Sequence, residues 1–287
     1  MSMLKKITDY LRMIKFSHSV FALPFAFTGA LLAAGGIPTI RQIFWITIAM
    51  FGARSGAMGM NRIVDKKIDA LNPRTKEREL PSGAIRSGEA LFFTIVAFAI
   101  FVAAAYKLNH LCFMISPFAI AIIILYPYTK RFTWLCHVVL GIAISFAPFG
   151  AWAAVRGTIE PEIFPLVIAV LFWVAGFDLF YALHDIDFDK EQKLYSVPSR
   201  FGINKTLWTA RAFHLVTISM LLLLIPLFHL SAIYFFGVLI AAAMLLYEHS
   251  LVRPSDLSRL DMAFFNMNGY ISITIFVFTL LNYIVPL

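Results

Sequence analysis

The sequence has few charged residues, few cysteines and no linker, and each shortage excludes a class of protein. Only 14% of its 287 residues are charged and 60% are hydrophobic, which is too apolar for an ordinary soluble domain. The two cysteines, Cys112 and Cys136, lie in apolar segments without metal-ligand spacing, so we expect neither a disulfide framework nor a cysteine-bound metal. No stretch rich in Gly, Ser or Pro divides the chain, and we expect a single domain over residues 1–287.

Apolar runs fill most of the chain. Each run of about 20 residues is long enough, at about 1.5 Å per residue, to cross a hydrocarbon core of about 30 Å. The runs lack the ten-residue alternation of a membrane barrel, so they are predicted to be helices. The fold class is therefore an all-α membrane protein, a bundle of about nine transmembrane helices. We place the spans near residues 16–36, 40–61, 89–108, 110–129, 133–155, 163–184, 207–227, 230–249 and 264–286.

The basic residues are distributed unequally between the two sides of this bundle. Of the 24 Lys and Arg residues, Arg41, Lys107 and Arg156 fall on one side, Arg54 and Arg211 fall within spans or at their ends, and all others fall on the opposite side. This bias predicts a multi-pass protein of the inner, cytoplasmic membrane with a cytoplasmic N-terminus. The first 15 residues are predicted to form an interfacial helix rather than a cleaved signal peptide. The net charge of +8 thus reflects contact with the lipid bilayer, and nucleic acid is not an expected partner.

Polar side chains are spaced regularly at the cytoplasmic end of the second span. Asn61, Asp65 and Asp69 follow an i, i+4, i+8 spacing, which places them on one helix face.

A second acidic row is predicted at the same end of the sixth span. Asp178, Asp185 and Asp189 follow an i, i+7, i+11 spacing, which gives one line if the helix continues through them. Like charges on one face repel unless a cation joins them, and Mg²⁺ is typically held by one or two carboxylates plus substrate phosphates. A solvated acidic helix end would explain either row alone. Two rows on one side predict instead a Mg²⁺ site that grips a diphosphate.

Cations on the same side support this interpretation. A departing diphosphate needs Lys or Arg beside the metal to stabilise its developing charge. Tyr126 and Lys130 are four residues apart, so they share one side of the fourth helix. The other candidate cations, some of which only mark membrane orientation, are Arg74, Arg78, Arg131, Lys190, Lys193 and Arg200.

Two ionisable residues lie deeper in the spans. Arg54 precedes Asn61 by seven residues, and Asp178 precedes Asp185 by seven, so each lies about 10 Å below its motif. Charged groups at such depth usually face the bundle interior and mark function. Two interpretations remain open: Arg54 receives a substrate carboxylate, or Arg54 and Asp178 form a structural ion pair.

Four segments resemble the signature segments of the UbiA superfamily of intramembrane aromatic prenyltransferases: NRIVDKKID, RELPSG, YPYTK and DIDFD. The resemblance covers nearly the whole chain and is strongest to bacterial 4-hydroxybenzoate polyprenyltransferases. It implies an enzyme that uses Mg²⁺ to transfer a polyprenyl group from polyprenyl diphosphate to an aromatic acceptor in ubiquinone or menaquinone synthesis. By this resemblance, Asp65, Asp69, Asp185 and Asp189 are the metal ligands, and Asp178 assists proton loss or orients the acceptor.

Other interpretations differ in the acceptor or in the class of protein. The segment FSHSVFALPFAFTGALLAAGG also resembles a menaquinone-pathway branch whose acceptor is a futalosine-type benzoate. UbiA-like enzymes outside quinone synthesis, such as those of haem, chlorophyll or archaeal lipids, are a further alternative. A secondary transporter is a remote one, since no inverted repeat is evident. Arg62 replaces the first Asp of the common family motif, which leaves the subfamily open.

Overall fold

A computed structural model describes Tyr10, Arg12, Met13, residues 22–260, Met262 and residues 267–285. Over these residues the chain forms a helical bundle, as expected. Its apolar helices are α1 (Ala22–Ala34), α2 (Ile40–Leu71), α3 (Ser87–Leu108), α4 (His110–Thr129), α5 (Cys136–Arg156), α6 (Phe164–Ala182), α7 (Val197–Phe228), α8 (Ala232–Leu251) and α9 (Asn268–Ile284).

The helices match the nine predicted spans in order. Seven of those described, α2 to α8, are long and apolar enough to cross a membrane, whereas α1 and α9 are shorter. The turn between the third and fourth spans occurs at Asn109, whose side chain caps α4 by accepting a hydrogen bond from the Cys112 N–H. Of the predicted N-terminal interfacial helix, the structure describes only Tyr10, Arg12 and Met13, which are helical. Residues 16–21, at the beginning of the predicted first span, lie outside the described residues.

The helices pack closely in one part of the bundle and leave space in another. A continuous apolar core surrounds Trp173 of α6 and Tyr234 of α8, both fully buried. Large apolar side chains such as Phe92, Leu215 and Leu246 are instead mostly exposed, which suits a surface that faces lipid.

In the part of the bundle that leaves space, α2 and α3 still come into close contact, and this contact depends on small residues. A Cβ atom built on Gly52 of α2 would lie 2.8 Å from the backbone nitrogen of Phe101, so α2 and α3 meet backbone to backbone at this point. Between α2 and α5 the packing opens into a cavity.

The sixth helix ends earlier than the sequence analysis assumed. After Ala182 the chain makes a 3-10 turn, Leu183–Asp185, and then a short helix, Ile186–Glu191. The expected continuous helix through Asp178 and Asp189 is therefore wrong. Helix α2 continues to Leu71 without a break, so Asn61, Asp65 and Asp69 (the α2 row) lie on one helix. Asp178, Asp185 and Asp189 (the α6 row) lie instead on the end of α6, a 3-10 turn and a short helix.

Candidate active site

A cavity of about 410 Å³ runs through the open part of the bundle. Its wall on α2 extends from Ile46 to Asp69, a rise of about 35 Å. Most of the wall is apolar, with small residues such as Ala49 and Ala105 and large ones such as Phe101 and Phe177. Most of the charged residues come from the two acidic rows and the loop after α2, so the cavity joins a mostly apolar space to a charged head.

The α2 row lies on this wall as the spacing predicted. Asn61, Asp65 and Asp69 all line the cavity, and the two aspartates are 4% and 5% exposed. The Asp65 carboxylate lies 3.0 Å from Nζ of Lys130 and 3.1 Å from a guanidinium nitrogen of Arg131. Buried carboxylates of this kind need such partners to remain charged.

Asp69 obtains its partners from its own helix and the loop that follows. A guanidinium nitrogen of Arg78 donates to both of its carboxylate oxygens, at 2.8 and 3.0 Å. Arg62, the residue that departs from the family motif, lies 4.0 Å from Asp69 and is 3% exposed. Arg62 therefore adds a positive charge to the acidic row itself, which the sequence pattern did not reveal.

The α6 row reaches the same cavity despite the break in the helix. Asp185 accepts hydrogen bonds from Arg74 and from the amide of Asn72, at 2.9 Å for the amide. Asp189 accepts one from the hydroxyl of Ser196, at 3.0 Å. Asp178, Asp185 and Asp189 all line the cavity. The loop after α2 thus positions Asp185, and the N-cap of α7 positions Asp189, because α6 ends before both residues.

Arg74 connects the loop after α2 to the end of α6 and the turn that follows it, through Tyr181 and Asp185. One guanidinium nitrogen donates to the Tyr181 hydroxyl at 2.7 Å, and the guanidinium lies 4.9 Å from the centre of that ring. Burial opposes charge on Arg74, but its hydrogen bond to Asp185 and the nearby negative charges raise its pKa above the ordinary value. Arg74 therefore stays positively charged.

Most other predicted side chains also line the cavity: Arg54, Arg74, Arg78, Tyr126 and Lys130. Three of the candidate cations, Lys190, Lys193 and Arg200, are exposed instead and lie away from the cavity wall. Arg131 reaches the site through Asp65.

The structure excludes one of the two interpretations of the deep charges. Asp178 is bound to His137, with 2.7 Å between its Oδ2 and the imidazole Nδ1. The Nε atom of Arg54 is buried and has no hydrogen-bond partner among the described residues. The alternative of a structural Arg54–Asp178 pair is therefore wrong. Equal depth along two helices does not fix which way each side chain points, and His137 provides the nearer partner.

Four residues have roles that depend on tertiary contact and were not predicted from the sequence: Arg62, Asn72, His137 and Ser196. His137 is a polar residue in the first turn of an otherwise apolar span, and its presence there is the signal that marks it. Asn72 and Ser196 are cap residues by type, with no local sign that they face carboxylates.

The carboxylates suit a hard divalent cation that is shared with a phosphate group. Among the described residues, no group of three His, Cys, Asp or Glu side chains converges on one point. A cage made only of protein ligands is therefore absent from this part of the chain. Mg²⁺ typically takes one or two carboxylates and completes its shell with water and substrate phosphate, and the two rows offer that ligand set. The donor set thus fits Mg²⁺ with a diphosphate.

The chain is similar to known proteins over most of its length. The UbiA prenyltransferase family matches residues 22–270. The 4-hydroxybenzoate octaprenyltransferase of Vibrio cholerae serotype O1 is 32% identical over 249 residues, which cover 85% of this chain and 86% of that protein. The enzyme of the same name from Aliivibrio fischeri is 34% identical over 254 residues, with 86% of each chain covered.

Solved structures show the same architecture. The apo structure of a UbiA homologue from Aeropyrum pernix K1 is 32% identical and superposes with a TM-score of 0.84, over 91% of this chain and 96% of that one. A UbiA homologue from Archaeoglobus fulgidus, bound to DMAPP and Mg²⁺, has a TM-score of 0.75 at 21% identity, over 97% of this chain and all of that one. These matches confirm the resemblance seen in the sequence, and the chain belongs to the UbiA prenyltransferase family.

Proposed function

We propose that this prenyltransferase moves a polyprenyl group from polyprenyl diphosphate to an aromatic acid in quinone biosynthesis, with 4-hydroxybenzoate as the favoured acceptor. The observation that carries the proposal is that one cavity has two acidic rows at one end and a mostly apolar wall elsewhere. A diphosphate head fits the charged end, and an apolar chain fits the remainder. The relatives named for 4-hydroxybenzoate support the choice of acceptor.

Asp65, Asp69, Asp185 and Asp189 would hold Mg²⁺ at the charged end. When bound, the metal neutralises diphosphate oxygens and favours departure of the diphosphate. The UbiA fold accommodates DMAPP and Mg²⁺ in the Archaeoglobus fulgidus homologue, which is consistent with this assignment.

The basic residues of the site bind the leaving group. Arg74, Arg78 and Lys130 each lie against a carboxylate that lines the cavity, so their charges are available where a diphosphate would lie. The bond between the allylic carbon and the diphosphate oxygen breaks with its electron pair going to the diphosphate. Fixed cations stabilise that developing charge without reorganising.

The acceptor ring lies deeper, between the head and the apolar arm of the cavity. Its π electrons form the new carbon–carbon bond, and the ring proton then passes to an oxygen of the released diphosphate, so that aromaticity returns. Arg54, which lacks a hydrogen-bond partner on Nε, binds the acceptor carboxylate. A futalosine-type benzoate also carries a carboxylate, so Arg54 suits it equally, and this acceptor remains the second candidate.

The site is proposed to face the cytoplasm of an inner membrane. The excess of Lys and Arg at this end of the bundle supports the orientation. A tag inserted in residues 72–86 should be accessible only from the cytoplasm. Accessibility from the opposite side would show that the orientation is reversed.

An activity assay tests the proposed function. Membranes that contain the protein are incubated with labelled polyprenyl diphosphate, Mg²⁺ and one of several aromatic acids, including 4-hydroxybenzoate and futalosine-type benzoates. We expect a prenylated product with 4-hydroxybenzoate that disappears when EDTA removes the metal. Product with a futalosine-type benzoate alone would reassign the acceptor, and no product with any acid would refute the proposal.

A further inference from the structure

His137 and Asp178 form a pair at the cavity wall, in which Asp178 lines the cavity and His137 lies behind it. The pair connects the first turn of α5 to α6, close to the C-terminal end of α6. His137 is 3% exposed, whereas Asp178 lines the cavity. Only the carboxylate therefore meets a ligand, and the imidazole acts on it from behind.

A backbone group fixes the hydrogen-bonding state of His137. Nε2 accepts a hydrogen bond from the backbone N–H of Val197, at 3.3 Å. Because a backbone N–H can only donate, Nε2 must be the unprotonated nitrogen, and the ring proton lies on Nδ1. Nδ1–H then donates to Oδ2 of Asp178, at 2.7 Å.

Val197 is suited to this task by its place in the fold. It is the first residue of α7, where backbone N–H groups have no acceptor within the helix. The preceding residue, Ser196, is the N-cap and also binds Asp189. The start of α7 is thus held in place, and His137 is held with it.

The hydrogen bond from Nδ1–H of His137 leaves Asp178 as an oriented hydrogen-bond acceptor. One carboxylate oxygen is taken by His137, and the other remains for a ligand in the cavity. Arg54, on α2, lines the same cavity as Asp178. A molecule in this cavity can therefore meet both a cation and an anion.

We propose that Asp178, positioned by His137, accepts a hydrogen bond from a hydroxyl group of the aromatic acceptor. The enzyme then selects aromatic acids whose hydroxyl group lies across the ring from the carboxylate. This inference rests on the proposed function, since it assumes that Arg54 receives the carboxylate. His137 is a positioning residue, because it touches Asp178 rather than the substrate.

The test compares two ligands that differ only in the hydroxyl group. Dissociation constants for 4-hydroxybenzoate and benzoate are measured by calorimetry on the purified full chain in nanodiscs, without donor. A hydrogen bond to a charged group predicts that the wild-type protein binds 4-hydroxybenzoate about 10- to 100-fold more tightly. In Asp178→Ala this ratio should fall to about one, with the affinity for benzoate retained through Arg54.

Variants of His137 separate positioning from folding. His137→Ala should lower the ratio, and His137→Asn should restore part of it because its amide N–H replaces Nδ1–H. His249→Asn is the matched control, since His249 is also hydrogen-bonded to a buried group, Nδ1 of His214, but lies away from the cavity. Its ratio should equal that of the wild type.

Two results would overturn the inference. Equal affinities of the wild type for both ligands would show that no group reads the hydroxyl. A loss of turnover in Asp178→Ala with an unchanged ratio would assign Asp178 to the reacting carbon instead. If the wild type still prenylates 4-hydroxybenzoate, either result leaves the proposed function standing, whereas a wild type without any transfer refutes the proposed function itself.

Discussion

The α2 and α6 walls of the cavity carry like charges at one depth and opposite charges at another. At the head of the cavity both walls are acidic, with Asp65 and Asp69 on one side and Asp185 and Asp189 on the other. Arg54 lies on α2 about 10 Å below Asn61, and Asp178 of α6, which is paired with His137, also lines the cavity. Like charges across a cavity favour a shared cation, whereas unlike charges that do not pair with one another leave a place for a polar ligand.

The two acidic rows also differ in how they are held. The α2 row lies on an unbroken helix, and its aspartates are nearly fully buried against Arg and Lys side chains. The α6 row lies on a broken helix, and the Asp185 side chain is 18% exposed. The first row is therefore fixed by its own helix, and the second by contacts with the 72–86 loop and α7.

The largest expected effect follows from removing one carboxylate of either row. Asp65→Ala and Asp185→Ala should each lower turnover by about 100- to 1000-fold, the usual loss when a fixed electrostatic element of a site is removed. Turnover is measured at saturating donor and acceptor in the presence of Mg²⁺. If the two rows act together, the losses should be similar although the rows are held differently.

Asp187→Ala is the control for this comparison. Asp187 is exposed, lies between two aspartates of the α6 row, and does not line the cavity. Its turnover should match that of the wild type. Near-normal turnover in one of the two row variants would mean that only the other row binds the reacting head group.

A smaller effect is expected at the deeper level. Arg54→Lys should raise the Michaelis constant for 4-hydroxybenzoate by about tenfold or more while leaving that for the donor unchanged, because Lys cannot form two parallel hydrogen bonds to a carboxylate. Steady-state kinetics with each substrate varied in turn provides both constants.

Arg41→Lys serves as the control at the other end of α2. Its guanidinium donates to the backbone oxygen of Lys107 and lies outside the cavity. Both Michaelis constants should stay at their wild-type values. Equal increases for donor and acceptor in Arg54→Lys would place Arg54 at the head group rather than at the acceptor.

The smallest effect concerns the contact that holds Asp189. Ser196→Ala removes an N-cap, which lowers the free energy of unfolding by about 1 kcal/mol, and should reduce turnover several-fold because Asp189 loses its hydroxyl partner. Residual folded protein after heating and turnover are measured on the same sample.

Ser231→Ala gives the matched control, because Ser231 caps α8 away from the cavity. We expect a similar loss of stability with unchanged turnover. A fall in turnover of the same size in both variants would attribute the effect of Ser196→Ala to stability alone.

The α2 wall was predictable from the sequence because its geometry is local. Asn61, Asp65 and Asp69 lie on one continuous helix, so the spacing along the chain determines the face that they share. The order of the nine spans was also predictable, since each span satisfies its backbone hydrogen bonds internally.

The α6 wall was only partly predictable because it depends on contacts between distant segments. The break after Ala182 has no Pro or Gly to signal it. His137 and Asp178 are 41 residues apart, and nothing in either segment indicates that the two side chains meet. The wrong alternative of an Arg54–Asp178 pair arose for the same reason. The sequence indicates how deep a residue lies in the membrane, but it does not indicate which neighbouring helix its side chain faces.

Equilibrium binding of an unreactive prenyl diphosphate analogue tests most directly whether the two rows hold one diphosphate. Geranyl thiodiphosphate is titrated into the wild type, Asp65→Asn and Asp185→Asn, with Mg²⁺ and again with EDTA. The account predicts that the wild type binds only with Mg²⁺, and that each variant binds at least about tenfold more weakly because it lacks one metal ligand. Wild-type affinity in either variant, or binding unaffected by EDTA, would contradict it.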